Sequence, residues 1–493
     1  MWACGVPGGR RRCARGGVDG CPRPSGDGAE RVRSCPIGWD MPPWRTCCAR
    51  SRCGGVWVFG AHVRGSGLQS AHMHLEVQPI TAINAPLPIQ VGDVDPGAIV
   101  HLAYQATDHA GHVFETTQRF QADATGHVDT ATSLPRTAAW HPAHSLGPVW
   151  VMSGPGVGFC LHGAKGITLT VTARTKGQPG AMTTVQRIFS RTIAPFAVAG
   201  FGGYQPTRGA GHPVVLLLGD AVGQPHPEGA DLDAAAAELA GEGFRVLTAG
   251  WALGAGEQIA VADCLAQVRD LIAACGPIAL VGMGRGAELA LLLAGEISRT
   301  APQDLYAVVA HSPSDIVTLT PHPRRPEPTF SDREALAADS SFGVGWQAFL
   351  QPTLTGKPWE IGSFYSRARE HATEDALAAA TIDIHALQAP LLLTAGEGDA
   401  VWDAPRACRR LAHAATCEVF TKLYEHAGYG IGYPFSFGGL PQHATITLYG
   451  HKVATGGTPA DRGAAAGASK EQVTSFLRSA ADAATEDTHS PTP

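Results

Sequence analysis

The stretch that most constrains this chain is Ile278-Ala279-Leu280-Val281, followed at once by Gly282-Met283-Gly284-Arg285-Gly286 and then Ala287-Glu288-Leu289-Ala290-Leu291-Leu292-Leu293-Ala294. The first run reads as a buried strand and the last as a buried helix. Strand, tight glycine turn and helix together form the context in which G-x-S-x-G raises a nucleophilic serine above a parallel sheet. Gly282 and Gly286 occupy the two glycine positions, and the serine position is Gly284.

The rest of the chain fits the sheet that such a turn requires. From about residue 210, apolar runs alternate with helical patterns. Val214 to Leu218, Arg245 to Thr248, Tyr306 to Ala310, Pro390 to Thr394 and Cys417 to Tyr424 read as strands; Asp231 to Ala240, Gln258 to Cys275 and Ser469 to Ala480 read as helices. This alternation predicts a doubly wound α/β sheet, with functional residues at the carboxyl ends of its strands. Residues 315–386 are polar and proline-rich, as expected of an excursion over the sheet.

Before residue 200 the period changes to two. Ile99 to Tyr104, Val113 to Thr117, Phe120 to Gly126, Ile167 to Thr172 and Val185 to Phe189 read as short strands separated by Gly/Asp turns. That spacing predicts a β-sandwich of immunoglobulin-like size. The expected organisation is an N-terminal extension over 1–72, a sandwich over 73–200, an α/β domain over 205–482 and a loose tail over 483–493.

Composition sets the extension apart. Residues 1–72 hold 11 arginines, no lysine and 4 acidic residues, whereas the whole 493-residue chain has a net charge of −6. Seven of the 12 cysteines precede residue 54 without a C-x-x-C pair, and the remaining five are scattered, as buried reduced thiols would be. The extension carries no helical or strand period, and Met73 immediately precedes the first strand pattern. It is therefore expected to be a disordered tail or a misassigned translation start. An acidic body argues against a nucleic-acid partner, because phosphate binding needs clustered positive charge. No run reaches membrane-spanning length, and no metal motif or cofactor fingerprint occurs. The default location is cytoplasmic, with oligomeric state left open.

Six collinear segments carry a family resemblance. They are Leu146 to Met152 (L-G-P-V-W-V-M), Gly284 to Leu289 (G-R-G-A-E-L), Ala310 to Ser314 (A-H-S-P-S), Gly396 to Trp402 (G-E-G-D-A-V-W), Tyr424 to Pro434 (Y-E-H-A-G-Y-G-I-G-Y-P) and Gly456 to Ala460 (G-G-T-P-A). The chain resembles the acyl-CoA thioesterases related to bile acid-CoA:amino acid N-acyltransferase. The resemblance implies an immunoglobulin-like N-terminal domain and a C-terminal α/β-hydrolase domain. It also implies hydrolysis of acyl-CoA to fatty acid and CoA, or a related acyl transfer, with an acyl-CoA or fatty-acyl ligand as partner.

That chemistry needs a nucleophile, a histidine to take its proton and a carboxylate to orient the histidine. The resemblance sets these positions at Gly284, Tyr429 and Asp399. Glycine cannot attack, and tyrosine, with an ordinary pKa near 10, is no base at neutral pH. Only Asp399 keeps its chemical type. His426, three residues before Tyr429, is a candidate replacement base, its other reading being a solvated loop histidine. Ser312 is a candidate replacement nucleophile, although its neighbour His311 points to the opposite side of the strand. The oxyanion hole would use the backbone N–H groups of Arg285 and Ala221, but Asp220 brings a negative charge beside it. The readings are a family enzyme with impaired chemistry, a pseudo-hydrolase that binds an acyl ligand without turnover, and a structural or interaction protein.

Overall fold

The computed structural model describes residues 72–156, 158–208, 212–220, 231–251, 258–320, 327–336, 350–448 and 451–487. The expected extension before residue 72 lies outside the described residues.

The N-terminal region is β-rich. Six strands come first: β1 (His74–Val77), β2 (Ile80–Ala82), β3 (Ile89–Gly92), β4 (Ile99–Thr107), β5 (Val113–Gln121) and β6 (Val128–Asp129). After the single turn of helix Gly147–Trp150 come β7 (Ile167–Arg174) and β8 (Ala181–Ile188). They form a five-stranded sheet in the order β2-β8-β7-β4-β5 and a three-stranded sheet in the order β1-β3-β6. Along β4, Val100, Leu102, Tyr104 and Ala106 are buried on one face and alternate with more exposed residues, which is the period-two pattern of a half-buried strand. These residues share one core with Ile89 and Val91 of the smaller sheet. The two strands expected over 113–117 and 120–126 are a single strand. Register runs unbroken from Val113 against Thr107 to Gln121 against Ile99, because nothing between Thr117 and Phe120 breaks the ladder.

The second region is an eight-stranded sheet. Its strands are β9 (Ile193–Val198), β10 (Phe201–Pro206), β11 (His212–Leu218), β12 (Phe244–Thr248), β13 (Ile278–Met283) and β14 (Leu305–His311), followed, after the small hairpin β15 (Leu319–Thr320) and β16 (Glu327–Pro328), by β17 (Leu391–Gly396) and β18 (Val419–Tyr424). The order is β18-β17-β14-β13-β11-β12-β10-β9. Only β10 runs antiparallel to its neighbours, and the other pairings are parallel. This is the α/β-hydrolase arrangement. The sheet begins before the expected boundary at 205, which falls inside β10. β9, assigned by its position to the sandwich, pairs with β10 instead.

Both faces of the sheet are covered, so its central strands are continuously apolar. Val214, Leu216 and Leu218 pack on helices Val261–Cys275 and Arg285–Ser298. Val215 and Leu217 pack on helix Leu232–Gly241 and the terminal helix. That last helix runs Pro459–Asp487, longer than Ser469–Ala480, so residues 483–487 are helical rather than a loose tail. Ala481 is buried there, and Ala484 packs on the same core. The final six residues lie outside the described residues. The 315–386 segment contributes, among its described residues, the hairpin β15–β16 and helices Gln351–Thr355, Gly362–His371 and Glu374–Ala380.

The two regions share a seam. Trp150 Nε1 donates to the Gly438 carbonyl at 2.6 Å. The terminal helix passes so close that a Cβ at Gly463 would lie 2.3 Å from the Trp150 ring. The Gly439 N–H donates to Asn84 Oδ1 at 3.1 Å. Phe437, Leu440 and Ala460 from the second region join the core of the first. No described helix is long and apolar enough to cross a membrane.

Candidate active site

The turn between β13 and helix Arg285–Ser298 projects above the carboxyl edge of the sheet. Gly284 adopts φ 57° and ψ −118°, a left-handed region that costs a residue with a side chain about 1–3 kcal/mol. Its N–H donates to the His311 carbonyl at 3.0 Å, and Ala287 and Glu288 donate to its carbonyl. The elbow is thus fully built, with no side chain at its tip.

The space that side chain would fill is occupied. A Cβ on Gly284 would lie 2.1 Å from the Tyr429 hydroxyl oxygen and 2.5 Å from Asp220 Oδ1. Tyr429 donates its hydroxyl proton to Asp220 Oδ2. Asp220 Oδ1 in turn accepts the backbone N–H of Arg285 at 3.2 Å. The Arg285 N–H, expected from the sequence to be an oxyanion donor, thus already carries a carboxylate oxygen. Ala221, the other candidate donor, lies outside the described residues. Burial and the Asp220 charge hold the Tyr429 phenol well above its ordinary pKa, so it keeps its proton and acts as a donor. Its ring packs edge-on against Trp402.

Asp399 lies on the loop after β17 and is half-buried, with its Oδ2 atom shielded from solvent. Its Oδ1 accepts the Val401 and Trp402 amides at 2.9 and 3.1 Å, whereas Oδ2 makes no hydrogen bond. Burial pushes its carboxyl up to about 7, against the pull of those two amides and of the Arg462 charge. The Ser312 hydroxyl adds a smaller pull on the same carboxyl without closing a hydrogen bond of good geometry. In a working triad the free oxygen would hold the histidine, and Tyr429 is turned to Asp220 instead.

Of the two candidate replacements, His426 faces solvent and Ser312 is buried beside the Asp399 carboxyl. The His426 side chain is 75% exposed and faces Glu425 at 3.4 Å. Ser312 is fully buried, has φ 44°, and gives its carbonyl to Trp402 Nε1 at 2.9 Å. His311 does not serve it. His311 Nε2 donates to the Tyr433 carbonyl at 2.9 Å, which leaves Nδ1 to accept from the Thr394 hydroxyl at 2.7 Å. Burial pushes this imidazole down to about 4, so it is neutral.

Beneath the elbow, Arg285 and Glu288 form a buried pair at 2.7 Å. The guanidinium also donates to the Leu319 carbonyl and lies 5.1 Å from the Trp402 ring, a cation–π distance. The sequence offered Arg285 only as a backbone donor, and its side chain is an anchor of the turn. Sequence reasoning also missed Arg462, which gives Nη1 to the Tyr429 carbonyl at 2.8 Å. Its signal was proximity to the G-G-T-P-A segment. A second nucleophile-like cluster went unread as well. Cys160 Sγ lies 3.0 Å from His162 Nε2, and His162 Nδ1 lies 3.3 Å from Asp231. That thiol is buried, and burial with the charges of Asp108 and Asp231 pushes it up to about 11. It stays protonated and ties the cluster together rather than forming a thiolate. No metal-holding group of His, Cys, Asp and Glu occurs among the described residues.

Comparison with known proteins places this geometry. Residues 84–193 match the acyl-CoA thioester hydrolase/BAAT N-terminal region, and residues 273–483 match the BAAT/acyl-CoA thioester hydrolase C terminal. No curated protein matches the chain. Among solved structures it is similar to an esterase of the bacterial hormone-sensitive lipase family, at 18% identity and a TM-score of 0.35, over 59% of this chain and 86% of that one. A Pyrobaculum calidifontis esterase gives 16% identity and a TM-score of 0.36 over 60% and 86%. A thermostable Pseudomonas putida esterase gives 14% and 0.32 over 59% and 82%. With both halves of its described fold matched in order, the chain belongs to the acyl-CoA thioester hydrolase/BAAT family.

Proposed function

We propose that this chain is an acyl-CoA thioesterase-family protein whose own triad chemistry is lost, and that it binds an acyl-CoA or other acyl ligand without turning it over. The observation that carries the reading is the Asp220–Tyr429 pair standing where a nucleophile's side chain would project and where an oxyanion would be held. Three functions are affected together. The nucleophile is absent at Gly284, the base position holds a proton donor, and the remaining oxyanion donor faces a carboxylate. Loss of a triad nucleophile costs on the order of 10⁶ in turnover, and a negative charge in the oxyanion hole opposes whatever residual stabilisation would remain. The N-terminal two-sheet module is read as the immunoglobulin-like domain of this family, supported by its shared core and Greek-key-sized strands.

The test is purified full-length protein with a series of acyl-CoA thioesters, followed by free-thiol detection and calorimetry. Binding without thiol release is expected. Thiol release that disappears in Asp399→Ala would overturn the reading. If neither binding nor release occurs, the ligand half of the reading fails, and an interaction role for the fold stands in its place.

A further inference from the structure

A cation is buried at the seam with no carboxylate among the described residues in ion-pair contact, Asp399 acting on it only from longer range. Arg462, on the first turns of the terminal helix, is 8% exposed. Its Nη1 is committed to the Tyr429 and Gly456 carbonyls. Its Nε makes no hydrogen bond, and no carboxylate among the described residues lies within ion-pair distance. Burial lowers its pKa only to about 10, with the Asp399 charge opposing the shift from further away, so the guanidinium is charged at neutral pH. A buried charge without a partner is costly. Burial without that partner points to a guest.

The space for a guest is adjacent. Arg462 lines a cavity of about 150 Å³ between the two regions, together with His443, Phe159, Phe435, Phe437 and Leu440. His443 Nε2 is also buried without a partner. Burial and the Arg462 charge push this imidazole down to about 4, so at neutral pH it is uncharged and able to donate one N–H.

We propose that this seam cavity binds a small monocarboxylate with an apolar or aromatic tail, its carboxylate held by the free guanidinium edge of Arg462 and its tail against the phenylalanines. The Nε–Nη2 edge of a guanidinium matches a carboxylate with two parallel hydrogen bonds. One positive charge balances one negative charge, whereas a phosphate dianion would remain undercompensated in an aromatic-lined space. The proposal is independent of whether the triad cleft turns over thioesters, because it uses neither Gly284 nor the Asp220–Tyr429 hydrogen bond.

Calorimetry on the full-length protein tests it, with hexanoate and benzoate as probes, hexanol and benzyl alcohol as uncharged controls, and inorganic phosphate as the competing anion. The acids should bind, the alcohols at least tenfold more weakly, and phosphate not measurably. Arg462→Gln should lower acid affinity at least tenfold, and Arg462→Lys should fall between. Because Arg462 also secures the Tyr429 loop, Ile446→Trp provides a second variant that fills the cavity edge and leaves Arg462 in place. It too should abolish acid binding while thermal unfolding stays cooperative. Equal affinity for acid and alcohol, preference for phosphate, no binding of either acid by the parent, or undiminished binding in Ile446→Trp would each overturn the proposal.

Discussion

The acid arm and the nucleophile–base arm of the same cleft have met opposite fates. On the acid arm, Asp399 keeps its loop, its two backbone donors and a free carboxylate oxygen. On the other arm the elbow backbone is intact, but its functional groups have been exchanged for a self-satisfied pair, Tyr429 to Asp220 to Arg285 N–H. One arm carries an unmet hydrogen-bonding demand and the other has met its demand internally. A buried polar group is tolerated far better when paired. Under the proposed reading the change is replacement rather than decay: the space above Gly284 is filled by two groups that fit each other.

If that contrast is right, undoing the replacement must be done as a unit. Gly284→Ser, Tyr429→His and Asp220→Gly together should raise thiol release from acyl-CoA by on the order of 10³-fold over the parent, a fraction of the ~10⁶ that a complete triad supplies. Gly284→Ser with Tyr429→His alone should gain little, because Asp220 still occupies the oxyanion donor. Recovery by Gly284→Ser alone, measured in the same thiol assay, would break the contrast by showing that the pair is no barrier.

The single substitution Gly284→Ser should instead register as a stability loss of about 2–6 kcal/mol in urea unfolding. Overpacking against Tyr429 and Asp220 costs about 1–3 kcal/mol, and strain at a left-handed residue adds a similar amount. In a Tyr429→His/Asp220→Gly background the overpacking part should vanish and only the strain remain. An equal loss in both backgrounds would mean that the elbow space is not contested.

Smaller again is the effect of Tyr429→Phe, which removes only the hydroxyl. A hydrogen bond to a charged group contributes about 1.5–3 kcal/mol, and a loss in that range is expected by chemical denaturation. A loss under about 0.5 kcal/mol would show that the pair is a contact and not a lock.

Much of this was legible in the chain. Apolar runs bounded by glycine gave the parallel strands, because strands covered on both faces need no polar side. The Gly284 elbow and the Asp399 loop could be found because each depends on a short contiguous segment. β9 fell inside the expected sandwich bounds of 73–200 because no strand pattern is read between Phe189 and about residue 210, and only its pairing with β10 reveals its sheet. The Asp220–Tyr429 hydrogen bond joins residues 209 apart in sequence. Asp220 was legible as a charge near the hole, but its embrace of Tyr429 required the fold. Arg462 was invisible for the same reason: its burial is created by the seam, and a lone arginine at a helix start reads as solvated.

The finest test of the contrast is its pH dependence. The folded Asp399 carboxyl sits near 7, above the value near 4 of an unfolded one. The folded state therefore binds this proton more tightly. Its contribution is fully present below about pH 4 and is lost as pH rises toward 7, with a slope of at most about 1.4 kcal/mol per pH unit. Asp399→Asn removes that component, so the variant should gain on the parent as pH rises from 5 to 7 and hold its gain to 8. Glu288, also pushed up to about 7, acts in the same direction, and His311 and His443, pushed down to about 4, act in the opposite one. To the extent that these groups are unaltered by the substitution, they cancel in the difference between parent and variant. On the other arm the Tyr429 phenol stays protonated throughout, so the difference between parent and Tyr429→Phe should be flat from pH 5 to 8. A sloped Tyr429 series, or a flat Asp399 series, would show that the unmet demand lies on the arm opposite to the one the geometry indicates.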